Sequence, residues 1–164
     1  QTMKKLKMSK YEIQQEHKNS EGDPHVKAQR RATQMAMSRN RMMAEVADAD
    51  VLLVNPTHVA VALKYQPDRG APRVVAKGAD EVAAKLRERA AEARVPMVQD
   101  IPLARALHAS CELGQEVPAQ LFTAVARVLA FVMQLSARGV RGGFHRPGFS
   151  APDVEGLPRA GARR

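Results

Sequence analysis

The chain is short of the residues that usually staple or anchor a small protein. One cysteine, Cys111, stands among 164 residues. It rules out an internal disulfide and fits a reducing compartment. It reads as a small buried helix residue rather than a nucleophile. Tryptophan is absent and aromatics make up only 4%, so a core has to be packed by Val, Leu, Ala and Met. The same scarcity leaves little to stack on nucleic-acid bases. No run of ~20 apolar residues is present. The nearest approach, from Leu121 to Leu135, is interrupted by Arg127 and Gln134, and no segment is expected to span a bilayer. Nor does any stretch read as a signal peptide.

Negative charge is the minority sign. Seventeen Asp and Glu face 26 Lys and Arg, for a net +9. Such a balance favours anionic partners: nucleic acid, a membrane surface or an acidic protein. The excess lies at the ends, in Lys4, Lys5, Lys7 and Lys10 and in Arg159, Arg163 and Arg164. No nucleic-acid-binding motif accompanies it, so nucleic acid is not an expected partner. Five histidines are scattered without metal-ligand spacing, and neither a metal nor a cofactor is expected. There is no P-loop, dinucleotide fingerprint or Gly-x-Ser-x-Gly elbow. Lys77-Gly78 after a strand lacks the flanking glycines of a phosphate loop. Small-molecule turnover is therefore unsupported.

What the chain does contain is an alternation of strand and helix signals in its middle. Hydrophobic content of 45% is enough for one core. Residues 1–47 form a basic linker, broken at Ser20-Glu21-Gly22-Asp23-Pro24 and then helical from His25 to Ala47. Met35, Met42 and Met43 are expected to pack. Strands are expected at Val51–Val54, Val59–Tyr65, Arg73–Lys77 and Val95–Val98. Helices are expected over Ala79–Arg94, with Val82, Leu86 and Ala90 on one face, over Ile101–Glu112, and from Pro118 to about Arg138. The expected fold is α/β: a small central sheet of about four strands surrounded by helices, with an N-terminal helical linker. Residues 48–138 make the domain. Residues 139–164, rich in Gly, Pro and Arg, are expected to be a disordered tail.

Asn55-Pro56-Thr57-His58 lies between the first two strands. An Asn-Pro step is chemically special because proline has no backbone N–H. Ordinary asparagine ageing needs that N–H to attack the side-chain carbonyl. The reverse route stays open: the Asn55 side-chain amide attacks its own main-chain carbonyl and expels the Pro56 nitrogen. The chain is then cut. Asn-Pro also begins ordinary turns, so the tetrapeptide alone leaves both readings open. A turn pinned between buried strands favours the chemistry, since ~1–3 kcal/mol of strain can be stored there.

With this tetrapeptide in a basic domain, the chain resembles the FlhB/YscU family, the export-apparatus switch proteins of flagellar and virulence type III secretion. Other blocks carry the likeness: Met8-Ser9-Lys10 leading into Glu16 to Pro24, Ala71 to Gly78, and Pro102 to Leu107. The flagellar branch is favoured by the Ser20–Pro24 and Pro102–Leu107 blocks. Val59 stands where the family often has an aromatic, and the Gln66–Gly70 loop is slightly short.

The resemblance implies upstream transmembrane helices missing here, a suggestion in line with a chain that begins at Gln1. It implies location at the cytoplasmic face of the bacterial inner membrane. Cleavage between Asn55 and Pro56 would be a single event and not enzymatic turnover. Asn55 would be the nucleophile, Pro56 the leaving group, Thr57 a turn holder whose backbone N–H steadies the oxyanion, and His58 a proton acceptor or orienting group. The cut would accompany a switch from rod and hook subunits to filament subunits. An apolar docking patch for early substrates maps onto Ala71, Pro72, Ala126 and Leu129. Implied partners are other export-gate components, rod- and hook-type substrates and a hook-length control protein. The competing class is a non-cleaving docking scaffold of a virulence system, in which the Asn-Pro turn is only a hairpin.

Overall fold

A computed structural model describes residues 22–161. The arm expected before Ser20, with its Met8–Lys10 and Glu16–Glu21 blocks, lies outside the described residues. A first helix, α1, spans Pro24–Ala47. Its first part belongs to one compact unit, ending at Asn40, and the rest of the chain forms a second, beginning at Arg41. Within the first unit Met35 is 56% exposed. The expectation that it packs is corrected: among the described residues its side chain lies on an exposed helix surface.

The second unit is built on a mixed sheet of five strands in the order β3-β2-β1-β4-β5. These are β1 (Val51–Asn55), β2 (Val59–Lys64), β3 (Arg73–Ala79), β4 (Met97–Gln99) and β5 (Phe144–His145). β1–β2 and β2–β3 pair antiparallel, while β4 runs parallel to both β1 and β5. Helices α2 (Asp80–Glu92), α3 (Ile101–Ser110) and α4 (Phe122–Ala137) connect and cover it. The α/β expectation therefore stands, with one strand more than was read.

The alternation of strand side chains divides the core. Val51, Leu53, Val61, Leu63 and Val98 point to the face covered by α3 and α4, where they meet Leu103, Leu107 and Val125. Leu52, Val54, Ala60, Ala62 and Ala76 point the other way, to Ala83, Leu86 and Ala90 of α2 and to Met42 and Val46. The small alanines let α2 approach closely. Gly78 does the same at the end of β3, where an added Cβ would lie 2.3 Å from Val82 Cγ1. Val82 is thus occupied by this contact, and Ala83 takes the buried place expected for it.

The C-terminal segment is the main correction. Residues 139–161 were expected to be disordered but lie along the core as a strap. β5 adds to the free edge of β4, and Phe149, Val154 and Leu157 pack against the α3/α4 side of the core. Phe149 sits edge-on to Phe131, 6.0 Å between centroids, and under the Arg127 guanidinium at 4.3 Å. Two of the chain's four phenylalanines, Phe144 and Phe149, lie in this segment. Glycine and proline composition hid a few large anchors spaced along an extended chain. The helical run Ala119–Ala137 likewise exceeds expectation: its 19 residues are long and apolar enough to cross a membrane by length and composition. Its inner face packs on the sheet through Leu121, Val125 and Val128.

Two predictions follow from the packing. Leu86→Ala should destabilise the fold by about 2–5 kcal/mol in denaturant titrations, whereas Met133→Ala on the surface should change it by less than about 0.5 kcal/mol. Burial, helped by the nearby Lys77 charge, holds the His108 imidazole below its ordinary pKa. The unfolded chain therefore binds that proton more readily, and stability should fall as pH drops below about 6.5. His108→Gln should flatten that part of the stability profile; an unchanged slope would contradict the assignment.

Candidate self-cleavage turn and apolar groove

Asn55 is the last residue of β1 and pairs with Val59 of β2, leaving Pro56, Thr57 and His58 as the loop. Its side chain is buried, 8% exposed, while Thr57 and His58 are open to solvent. The His58 N–H donates to the Asn55 carbonyl at 3.0 Å. Thr57 has φ +68°. Proline at the second position and positive φ at the third are the marks of a type II turn, which favours glycine there. A β-branched residue in that region is strained, by about 1–2 kcal/mol. Type II also mismatches the twist of a hairpin, which prefers the mirror-image turns.

The turn is held in this form from outside. The Asp80 N–H donates to the His58 carbonyl at 2.8 Å. Asp80 itself has φ +50° at the junction of β3 and α2, beside the close approach at Gly78. The four residues singled out from sequence are thus brought together, with one change of role. The N–H at the Asn55 carbonyl is that of His58 and not of Thr57, because a β-turn closes from the first residue to the fourth. The sequence pointed to the tetrapeptide but gave no sign of a left-handed residue, since no glycine marks it.

Ala71, Pro72, Ala126 and Leu129 are also brought together. They line a groove of about 610 Å³ with Phe122 and Met133 among its other walls. Phe122 is 45% and Met133 72% exposed. Val117 N–H donates to Pro72 O at 2.9 Å, fixing the loop before β3 against the segment that leads into α4. Cys111, directly after α3, is fully buried, and burial pushes its thiol pKa up, which makes it a poor nucleophile. Among the described residues no cluster of three or more His, Cys, Asp or Glu forms a metal site.

Comparison with known proteins shows the family. Residues 1–132 match the model of the FlhB HrpN YscU SpaS family. The chain belongs to that family. It is 50% identical over 157 residues to the flagellar biosynthetic protein FlhB of Salmonella typhimurium, covering 95% of this chain and 40% of the relative. It is 46% identical over 138 residues to the hypersensitivity response secretion protein HrcU of Ralstonia nicotianae, covering 83% of this chain and 38% of the relative. The chain therefore spans well under half of these relatives. The crystal structure of the cytoplasmic domain of FlhB from Shewanella putrefaciens superposes with a TM-score of 0.61 at 47% identity, over 70% of this chain and 96% of that one. That likeness carries the α/β fold across the family domain.

The strain at Thr57 can be measured apart from any cleavage. In an Asn55→Ala background, Thr57→Gly should raise unfolding stability by about 1 kcal/mol, because glycine adopts positive φ freely. A loss of stability would mean that the turn is unstrained.

Proposed function

We propose that this protein is the cytoplasmic portion of a flagellar type III export-gate component that cuts itself once between Asn55 and Pro56. The observation that carries the proposal is the strained Asn-Pro turn, clamped at the Asn55 carbonyl and at the His58 carbonyl. In the reaction the Asn55 side-chain nitrogen bonds to the Asn55 main-chain carbon. The bond from that carbon to Pro56 nitrogen breaks, the amide proton passes to the proline, and Asn55 ends as a succinimide that water later opens. The His58 N–H is aimed at the oxygen on which negative charge develops. The His58 imidazole serves as proton acceptor or orienting group from the solvent side. Release of turn strain adds to the proximity of amide and carbonyl.

The cut is a single event, and it governs the change from rod and hook subunits to filament subunits. The groove at Ala71, Pro72, Ala126 and Leu129 receives an apolar segment of the early substrates. Two features support this: its apolar walls, and the exposed Phe122 and Met133 at its rim. The hook-length control protein and the other export-gate components are its further partners. The domain works at the cytoplasmic face of the inner membrane, carried there by a transmembrane part of the full protein. The groove would serve equally in a non-cleaving scaffold of a virulence system, and the cut separates the two readings.

Intact mass under denaturing conditions tests the cut. Wild-type chain should give two species, one ending at Asn55 and one beginning at Pro56, and Asn55→Ala should give one. His58→Ala should slow cleavage without abolishing it, because the backbone N–H at the Asn55 carbonyl remains. A cut Asn55→Ala chain would overturn the mechanism. For the groove, Ala126→Asp is exposed and should leave the fold intact while weakening rod- or hook-subunit binding tenfold or more; unchanged binding would overturn the docking role.

A further inference from the structure

Three polar side chains are buried among the described residues: Asn55, Asp100 and Ser110. Ser110 is accounted for by its own helix, donating from Oγ to Ala106 O at 2.7 Å. The other two stand at the ends of neighbouring parallel strands. Val54 of β1 is in register with Gln99 of β4. Asn55 and Asp100 are therefore the next pair along, on the face that Leu53 and Val98 share.

Asp100 reaches the cleavage turn through its backbone. Its N–H donates to Val54 O at 3.3 Å, gripping the peptide unit that leads directly into Asn55. Its own position is fixed by its carboxylate. Oδ1 accepts from Leu103 N–H at 3.2 Å, capping α3. Both oxygens accept from Ala151 N–H in the strap, at 3.1 and 3.0 Å. A cap alone needs one acceptor oxygen, and aspartate is an ordinary choice for it; what goes beyond a cap is the grip on Ala151. Asp100 thus joins three things: its backbone N–H holds the end of β1, and its buried carboxylate holds the start of α3 and the C-terminal strap.

We propose that Asp100 is a positioning residue for cleavage at Asn55, and that the strap from Phe144 to Leu157 is part of the same device through Ala151. This rests on the self-cleavage reading. Cyclisation requires the Asn55 amide to meet its own carbonyl while the backbone on either side stays still. The β2 side is held by the turn hydrogen bonds. The β4 side is held by Asp100, and Asp100 is held by α3 and the strap. With the carboxylate gone, the end of β1 can yield to the turn strain, and the reactive geometry is populated less.

The test follows cleavage of pulse-labelled full-length chain by denaturing mass measurement. Asp100→Ala should slow the cut about tenfold, the rate equivalent of ~1.4 kcal/mol. Asp100→Asn, which keeps an acceptor for the cap, should restore most of the rate. Ala151→Pro removes the strap's N–H and should slow cleavage by itself. Combined with Asp100→Ala it should add nothing, because both act through one link. Leu86→Ala, which weakens the core on the opposite face of the sheet but leaves the Asp100 link intact, should slow the cut clearly less than Asp100→Ala.

Equal slowing by Leu86→Ala would reduce Asp100 to general stability and overturn the proposal. So would full additivity of Asp100→Ala and Ala151→Pro. Should Asp100→Ala fail to fold, Ala151→Pro decides: an unchanged rate overturns the link. A wild-type chain that never cuts removes the cleavage reading itself, and this inference with it. A wild-type chain that cuts while Asp100→Ala cuts equally fast removes this inference alone.

Discussion

The rest of the structure depends on how completely β1 is immobilised. Its five residues are all buried. One edge is paired to β2 at five register positions and the other to β4 at three. Its two faces press on separate core clusters. A strand held in four directions cannot shift to relieve a poor turn at its end. The turn must therefore accept the strain, which appears as a threonine at φ +68°. Cores are close-packed and stiff, which is why the cost is concentrated in the exposed loop and not spread through the sheet.

The same arrangement separates continuity of the chain from continuity of the fold. The pairings of β1 with β2 and with β4 join residues on opposite sides of the Asn55-Pro56 bond through hydrogen bonds and packing. None requires that bond. The pairing of β1 with β2 and burial on both faces would survive its loss. What a cut changes is local: the loop from Pro56 to His58 is freed at one end, on a solvent-facing surface. The apolar groove beside α4 is built from other elements, so the docking and cutting proposed for this domain are mechanically separable. Asp100 adds a link in the opposite direction, from the buried end of β1 to the C-terminal strap.

Much of this was legible in the sequence. Two apolar runs around Asn-Pro identified the hairpin, and the alternation of β-type and helical segments gave the α/β class. What failed did so for definite physical reasons. Residues 139–161 looked too polar and glycine-rich to order, yet Phe149, Ala151, Val154 and Leu157 are enough when a formed core offers places for them. Met35 falls by sequence spacing on the same helical stripe as Met42 and Val46, at i, i+7 and i+11, so periodicity alone could not tell the exposed methionine from the buried one. The role of Asp100 was partly readable. Aspartate directly before Ile101-Pro102 is a helix-start pattern, but its bond to Ala151 joins residues 51 positions apart and leaves no local trace. Ala71, Pro72, Ala126 and Leu129, proposed to dock substrates, came from family likeness, and their convergence on one groove depends on tertiary packing alone.

The central claim is that the fold, and not the Asn-Pro dipeptide by itself, drives the chemistry. The direct measurement is the cleavage rate of newly made chain in increasing urea, followed across the unfolding transition. The account predicts cutting at a steady rate while the sheet is intact and a collapse of that rate, by a hundredfold or more, as the chain unfolds. Cleavage that continued at the native rate in fully unfolded chain would contradict it, since neither the clamped strand nor the strained turn would then be needed.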